Sequence, residues 1–104
     1  MRALLVFLSL FAFAPHLLGE GETVLLDVRS SWEVKVKSVE GAVNIPIGDF
    51  KSRVSEFKKD HPKKDTPIKV FCEAGGRSAR AKAILEKHGY TNVTDIKSWR
   101  NVSK

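Results

Sequence analysis

The sequence predicts an α/β domain: a small parallel sheet flanked by helices. Two observations predict it. Short apolar runs at Thr23–Val28, Ala42–Ile45 and Ile68–Phe71, and a last one opening at Tyr90-Thr91-Asn92-Val93, alternate with longer stretches of helical spacing. Strands alternating with helices along one chain build parallel sheets. The first run, Thr-Val-Leu-Leu-Asp-Val, is also continuous rather than alternating, as suits a strand buried on both faces of such a sheet.

The chain has 104 residues, the size of one domain. Its opening differs from the rest. Met1-Arg2 is a short positive start, and Ala3 to Ala14 is an apolar run broken only by Ser9. That is the pattern of a secretory signal peptide, and the run is short of the ~20 residues a membrane span needs. Ala12-Phe13-Ala14 has the small-residue form of a cleavage site, but Pro15 follows it. We therefore place the boundary after Gly19: residues 1–19 as signal peptide, residues 20–104 as the mature domain. The expected location is periplasmic or secreted, with no stable membrane association once the signal is removed.

The strand Thr23–Val28 carries Asp27 near its end and runs into Asp27-Val28-Arg29-Ser30-Ser31. Ser30 with Glu33 three residues on fits a capping box, which we take as the role of Glu33. Trp32 reads as a packing residue. Gly41 precedes the second strand and Pro46 ends it. Ile47, Phe50, Val54 and Phe57 then repeat at helical spacing, with Asp49 in the first turn where the helix dipole favours it. Asp60 to Pro67 is a polar loop before the third strand. The helix after that strand offers Ala81, Ile84 and Leu85 as its buried side, with Ala79 and Ala83 for close packing, and Gly89 as its C-terminal cap. Ser98 to Val102 reads as a short terminal helix.

The formal net charge is +6, and Arg2 is the only charged residue among the first nineteen. The lysines are spread along the chain without interleaved aromatics, so they read as a solvated basic surface, with attraction of small anionic substrates as the functional alternative. Nucleic acid is not an expected partner. The single cysteine cannot form an internal disulfide, and an unpaired thiol in an exported chain marks a reactive or intermolecular group. The histidines and the cysteine lack metal-ligand spacing, so no metal and no cofactor are expected.

That cysteine, Cys72, is the focus of the chain. It ends the third strand and opens Cys72-Glu73-Ala74-Gly75-Gly76-Arg77-Ser78, beyond which a helix runs to about His88. The first N–H groups of a helix lack intrahelical partners and the dipole is positive there, so both favour an anion. A thiol so placed can fall from about 8.5 into roughly the 3.5–7.5 range. Gly75 and Gly76 let the backbone come close to a ligand, and Arg77 adds a permanent forked cation. In open α/β sheets ligands bind beyond the carboxyl ends of the strands, so Cys72 and Asp27–Arg29 are expected on one face. Neither His61, in a loop, nor His88, at the far end of the helix, offers a base to Cys72.

Three blocks resemble the single-domain rhodaneses. Asp27-Val28-Arg29 with Glu33 resembles that family's opening strand and turn, Gly41-Ala42-Val43-Asn44-Ile45-Pro46 its second block, and Cys72 to Ser78 its active loop. With an export signal ahead of it, the chain is most similar to the periplasmic phage-shock members. The resemblance implies a rhodanese-like fold and thiosulfate sulfurtransferase activity, with Cys72 as nucleophile and persulfide carrier. It implies a cradle of Glu73, Ala74, Gly75, Gly76 and Ser78 for the sulfur, Arg77 for the sulfonate oxygens, and Asp27 and Arg29 as structural support. Its partners are a small sulfur donor, thiosulfate, and a thiophilic acceptor, cyanide or a thiol. Related phosphatases place the arginine six positions after cysteine; here Arg77 is five after Cys72, which favours sulfur over phosphate. Two departures stand out. Lys37-Ser38-Val39 replaces a common Gly-His-Ile, and Lys97-Ser98 replaces a Gly-Gly whose positive-φ turn lysine and serine tolerate poorly, so the last turn is expected to differ or to be loosely held. Two alternatives remain: a thiol redox enzyme with a resolving thiol from elsewhere, and a non-catalytic sulfide carrier or binding module.

Overall fold

A computed structural model describes residues 22–104, so the signal-peptide reading of residues 1–19 lies outside the described residues. Four parallel strands form one sheet in the order β2-β1-β3-β4: β1 (Val24–Asp27), β2 (Val43–Asn44), β3 (Ile68–Cys72) and β4 (Val93–Ser98). Three helices connect them: α1 (Ser31–Val36), α2 (Ile47–Asp60) and α3 (Gly76–Lys87). A single 3₁₀ turn, Trp99–Asn101, follows β4 inside the span Ser98–Val102 expected to be a short terminal helix. The expected α/β architecture is the one observed.

The register carries the site. Asp27 pairs with Asn44 on one side and Phe71 on the other, and Cys72 pairs with Ser98. The carboxyl ends of the three longer strands therefore come level, and the loops that leave them share one end of the sheet. Leu26, Ile68 and Val70 from the strands, with Val28 just past β1, pack with Phe50, Val54 and Phe57 of α2 and Ala81 and Leu85 of α3. The helical spacing read from the sequence thus marks the buried side of α2. In α3 the expected close-packing alanines do not pack: Ala79 and Ala83 are exposed, and Ser78 takes a buried place instead.

Trp32 is also not a packing residue. It is 70% exposed, and Val36 one turn on is 66% exposed. The reason is local. Helix α1 has six residues and buries none of them, because it is held by its termini rather than by an apolar face. Ser30 Oγ accepts from the Glu33 N–H, and the Glu33 carboxylate accepts from the Ser30 N–H at 2.8 Å, the capping box read from sequence. At its other end Lys37 O accepts from Arg29 Nη2 at 2.7 Å.

Candidate active site

Cys72 is 1% exposed, yet it lines an open cavity of about 580 Å³ together with Glu73, Ala74, Gly76, Arg77 and Arg80. The Gly75 N–H donates to its sulfur at 3.0 Å. The loop can turn that amide inward because Gly75 has φ 124°, a region that residues with a Cβ avoid. The thiol lies 3.5 Å from Ser78 Oγ. Burial pushes the Cys72 pKa up, but hydrogen bonds from the Ser78 hydroxyl and from the amides of Ser78, Gly75 and Ala74 pull it down further, leaving it lowered. The chemical result is a partly desolvated sulfur whose ionised form the loop favours, within reach of a ligand in the cavity.

Arg77 is not a free cation. Its Nη1 and Nη2 donate to the two Glu33 oxygens at 2.7 and 3.0 Å. The fork-to-fork pair holds the Glu33 pKa at about 2, with Arg77 the largest cause and the Ser30 amide the next. Glu33 so closes the capping box of α1 and ties that helix to the start of α3. Nothing in the sequence links these two residues, which lie far apart along the chain. Glu73 is engaged as well: Trp99 Nε1 donates to Oε1 at 2.9 Å, and Arg100 Nη1 lies 2.7 Å from Oε2. Its pKa is lowered, chiefly by Arg100. The guanidinium of Arg100 in turn sits 4.5 Å over the Trp99 ring.

Asp95 on β4 escaped the sequence reading. Its Oδ1 accepts from Ser78 Oγ at 2.7 Å and from the Lys97 N–H at 2.9 Å. Those bonds keep the last turn in place. Lys97 adopts φ 70°, the only positive φ outside glycine among the described residues. The ladder between β3 and β4 shifts register between Val70 and Phe71, skipping Ile96, so Lys97 stands in a bulge. The turn is therefore not replaced by another, as expected from the missing glycines; lysine occupies it and leans its Cβ on the Gly75 side of the loop, where an added Cβ at Gly75 would lie 3.5 Å away. Arg80 escaped the reading too, although its place three residues after Arg77 put it on the same helix face.

Asp27 and Arg29 do not line the cavity. They form a buried pair, 1% and 2% exposed, with Arg29 Nη2 at 2.8 Å from Asp27 Oδ2. The Arg29 guanidinium also lies 5.6 Å from the centre of the Trp99 ring. The pair thus joins the end of β1 to the C-terminal turn that also holds Glu73.

A parallel sheet with a lowered-pKa cysteine at a strand end, inside a loop that turns its amides toward sulfur, defines a class of α/β proteins built around a thiolate cradle. This chain belongs to the rhodanese-like domain family, which matches residues 14–99. It is 37% identical over 78 residues to the thiosulfate sulfurtransferase PspE of Escherichia coli, covering 75% of this chain and 72% of that protein. A tRNA uridine(34) hydroxylase of Pelagibacter ubique is 35% identical over 83 residues, but the shared region spans only 26% of that enzyme. Among solved structures, a rhodanese with anions from E. coli superposes with a TM-score of 0.68 at 33% identity, covering 78% of this chain and 92% of that one. The human single-domain sulfurtransferase gives 0.63 at 25% identity, covering 89% and 88%.

Proposed function

We propose that this protein is a thiosulfate sulfurtransferase that works through a persulfide on Cys72. The observation that carries the reading is the sulfur itself: a lowered-pKa thiol at a cavity wall, receiving a loop amide at 3.0 Å. The Cys72 thiolate attacks the outer sulfur of thiosulfate. A new S–S bond forms, the S–S bond of thiosulfate breaks, and its electron pair leaves with sulfite. The persulfide anion left on Cys72 is cradled by the loop N–H groups, as an anion would be. Cyanide or a thiolate then attacks the terminal sulfur, takes it, and returns Cys72 to thiolate. Thiosulfate sulfurtransferase is the name of a relative that matches most of the domain, and it supports this choice over redox chemistry or passive sulfide binding.

Within this reading Ala74, Gly75 and Gly76 serve through backbone rather than side chain. Glu73 serves by fixing the loop to Trp99 and Arg100, which also offsets a carboxylate that would repel an anion. Arg77 keeps N–H donors beyond the two given to Glu33, and these can meet a sulfonate oxygen. The apolar run from Ala3 to Ala14 behind a positive start supports an exported protein. N-terminal sequencing of the protein from the cell envelope or medium should begin at Glu20, and a chain starting at Met1 would count against export.

The decisive assay is thiocyanate formation from thiosulfate and cyanide. The wild-type protein should form it, and Cys72→Ala should form none above the uncatalysed rate. Mass spectrometry after thiosulfate alone should show one added sulfur on the wild-type chain. Activity surviving in Cys72→Ala would remove the persulfide mechanism, and a stable sulfenate or mixed disulfide would favour the redox alternative.

A further inference from the structure

Two arginines line the cavity over Cys72, and they differ in how their charge is balanced. Arg77 faces both oxygens of Glu33, at 2.7 and 3.0 Å. At the rim, Glu73 and Arg100 offset each other at 2.7 Å. Arg80 makes no side-chain hydrogen bond and no ion pair among the described residues, and it is exposed where it lines the cavity. Its place three residues beyond Arg77 sets it on the same face, on the second turn of α3, and both residues line the cavity. Arg80 is therefore the uncompensated positive charge of the site.

We propose that Arg80 recognises the anionic end of the sulfur donor and so selects dianionic thiosulfate over monoanionic thiosulfonates. The assignment rests on the sulfurtransferase reading of Cys72. With the outer sulfur of thiosulfate against Cys72, its three sulfonate oxygens must point away from the sulfur and toward the cavity mouth. A free guanidinium there offers a planar fork to two of them. It keeps its full charge for the ligand, whereas Arg77 shares its charge with Glu33. The leaving sulfite carries the same charge, so Arg80 also holds it at the moment of departure.

Direct titration tests this without turnover. Thiosulfate is titrated calorimetrically into Cys72→Ala and into Cys72→Ala/Arg80→Gln. Arg80→Gln should weaken binding by about tenfold, as for one charge-assisted contact, and Arg80→Lys should recover part of it. In the active background, Arg80→Gln should raise KM for thiosulfate by about tenfold and leave kcat within about twofold. The KM for methanethiosulfonate, which carries the same transferable sulfur with one less charge, should change less. Arg80 is exposed, and an unchanged thermal midpoint confirms folding of the variants. Equal titrations with and without Arg80, including no binding in either, overturn the assignment. If the wild type forms no thiocyanate but the titrations still depend on Arg80, the anion site stands and the sulfurtransferase reading falls. If it turns over with KM unaltered by Arg80→Gln, the reading stands and the assignment falls.

Discussion

At the scale of single residues, Ser78 carries more than its place in the sequence suggests. Its hydroxyl has one proton and three neighbours: Asp95 Oδ1 at 2.7 Å, Gly75 O at 3.1 Å and Cys72 Sγ at 3.5 Å. The shortest contact is to a carboxylate, so the resting hydroxyl donates to Asp95 and its lone pairs accept from the Cys72 thiol. When Cys72 ionises, the hydroxyl is the side-chain donor beside the sulfur and can turn to it. After burial, which opposes it, that side-chain bond is the largest influence on the Cys72 pKa, and it acts downward. Removing it must raise the pKa, because the thiolate loses a stabilising donor that the neutral thiol does not need. Ser78→Ala should therefore shift the pH profile of Cys72 alkylation by iodoacetamide to higher pH. The loop amides remain in the variant, so the shift should leave the thiol still reactive. An unmoved profile would mean that the amides alone set the thiolate.

At the scale of the element, the link between β4 and the loop decides how firmly the cradle is held. Lys97 is in the left-handed region, which costs a residue with a Cβ roughly 1–2 kcal/mol relative to glycine. Two features hold it there: the Asp95 carboxylate takes its N–H at 2.9 Å, and its side chain packs on the Gly75 turn. Lys97→Gly relieves the strain but loosens the unfolded chain, at about 0.5–1 kcal/mol, and removes the packing. The backbone terms alone net a gain of about 0.5–1 kcal/mol and the lost packing lowers it, so the expectation is a gain below that figure, read as a Tm rise of at most a few degrees. A lower Tm would show that contact with the Gly75 turn outweighs the backbone strain. Sequence reading could flag that lysine and serine are poor residues for a positive-φ turn. It could not tell that the turn persists, because the compensating carboxylate, Asp95, becomes its partner only through the bulge. The same limit hid the Arg77–Glu33 pair. A capping box is a local pattern, legible at three residues' separation, whereas the second role of Glu33 depends on how α1 lies against α3.

At the scale of the whole molecule, the parallel sheet was legible because apolar runs alternate with helical stretches, whereas the order β2-β1-β3-β4 and the register that fix what meets at one end appear only in the structure. The cysteine loop was legible for the same reason, as a strand end leading into a helix. Trp32 was misread because a large aromatic near an apolar strand looks like core, and only the shortness of α1 leaves it outside. What ties the sheet to the C-terminal turn is the buried pair of Asp27 and Arg29. Arg29 gives Nε and Nη2 to the Asp27 carboxylate, and its remaining fixed contacts are Lys37 O and the Trp99 ring. Asp27→Ala would leave a guanidinium 2% exposed with no counter-charge within the pair. Breaking such a pair from one side costs about 3–5 kcal/mol, a large part of the roughly 5–15 kcal/mol that holds a small domain folded. Replacing both partners with apolar residues of similar volume, as in Asp27→Leu/Arg29→Met, should cost clearly less than the single change, because no buried charge is left behind. Urea unfolding of the wild type, Asp27→Ala and the double variant measures this directly. The order expected is wild type most stable or level with the double variant, and Asp27→Ala well below both. A single variant within about 1 kcal/mol of wild type would show that water reaches Arg29 when its partner goes, and that the end of the sheet does not depend on the pair.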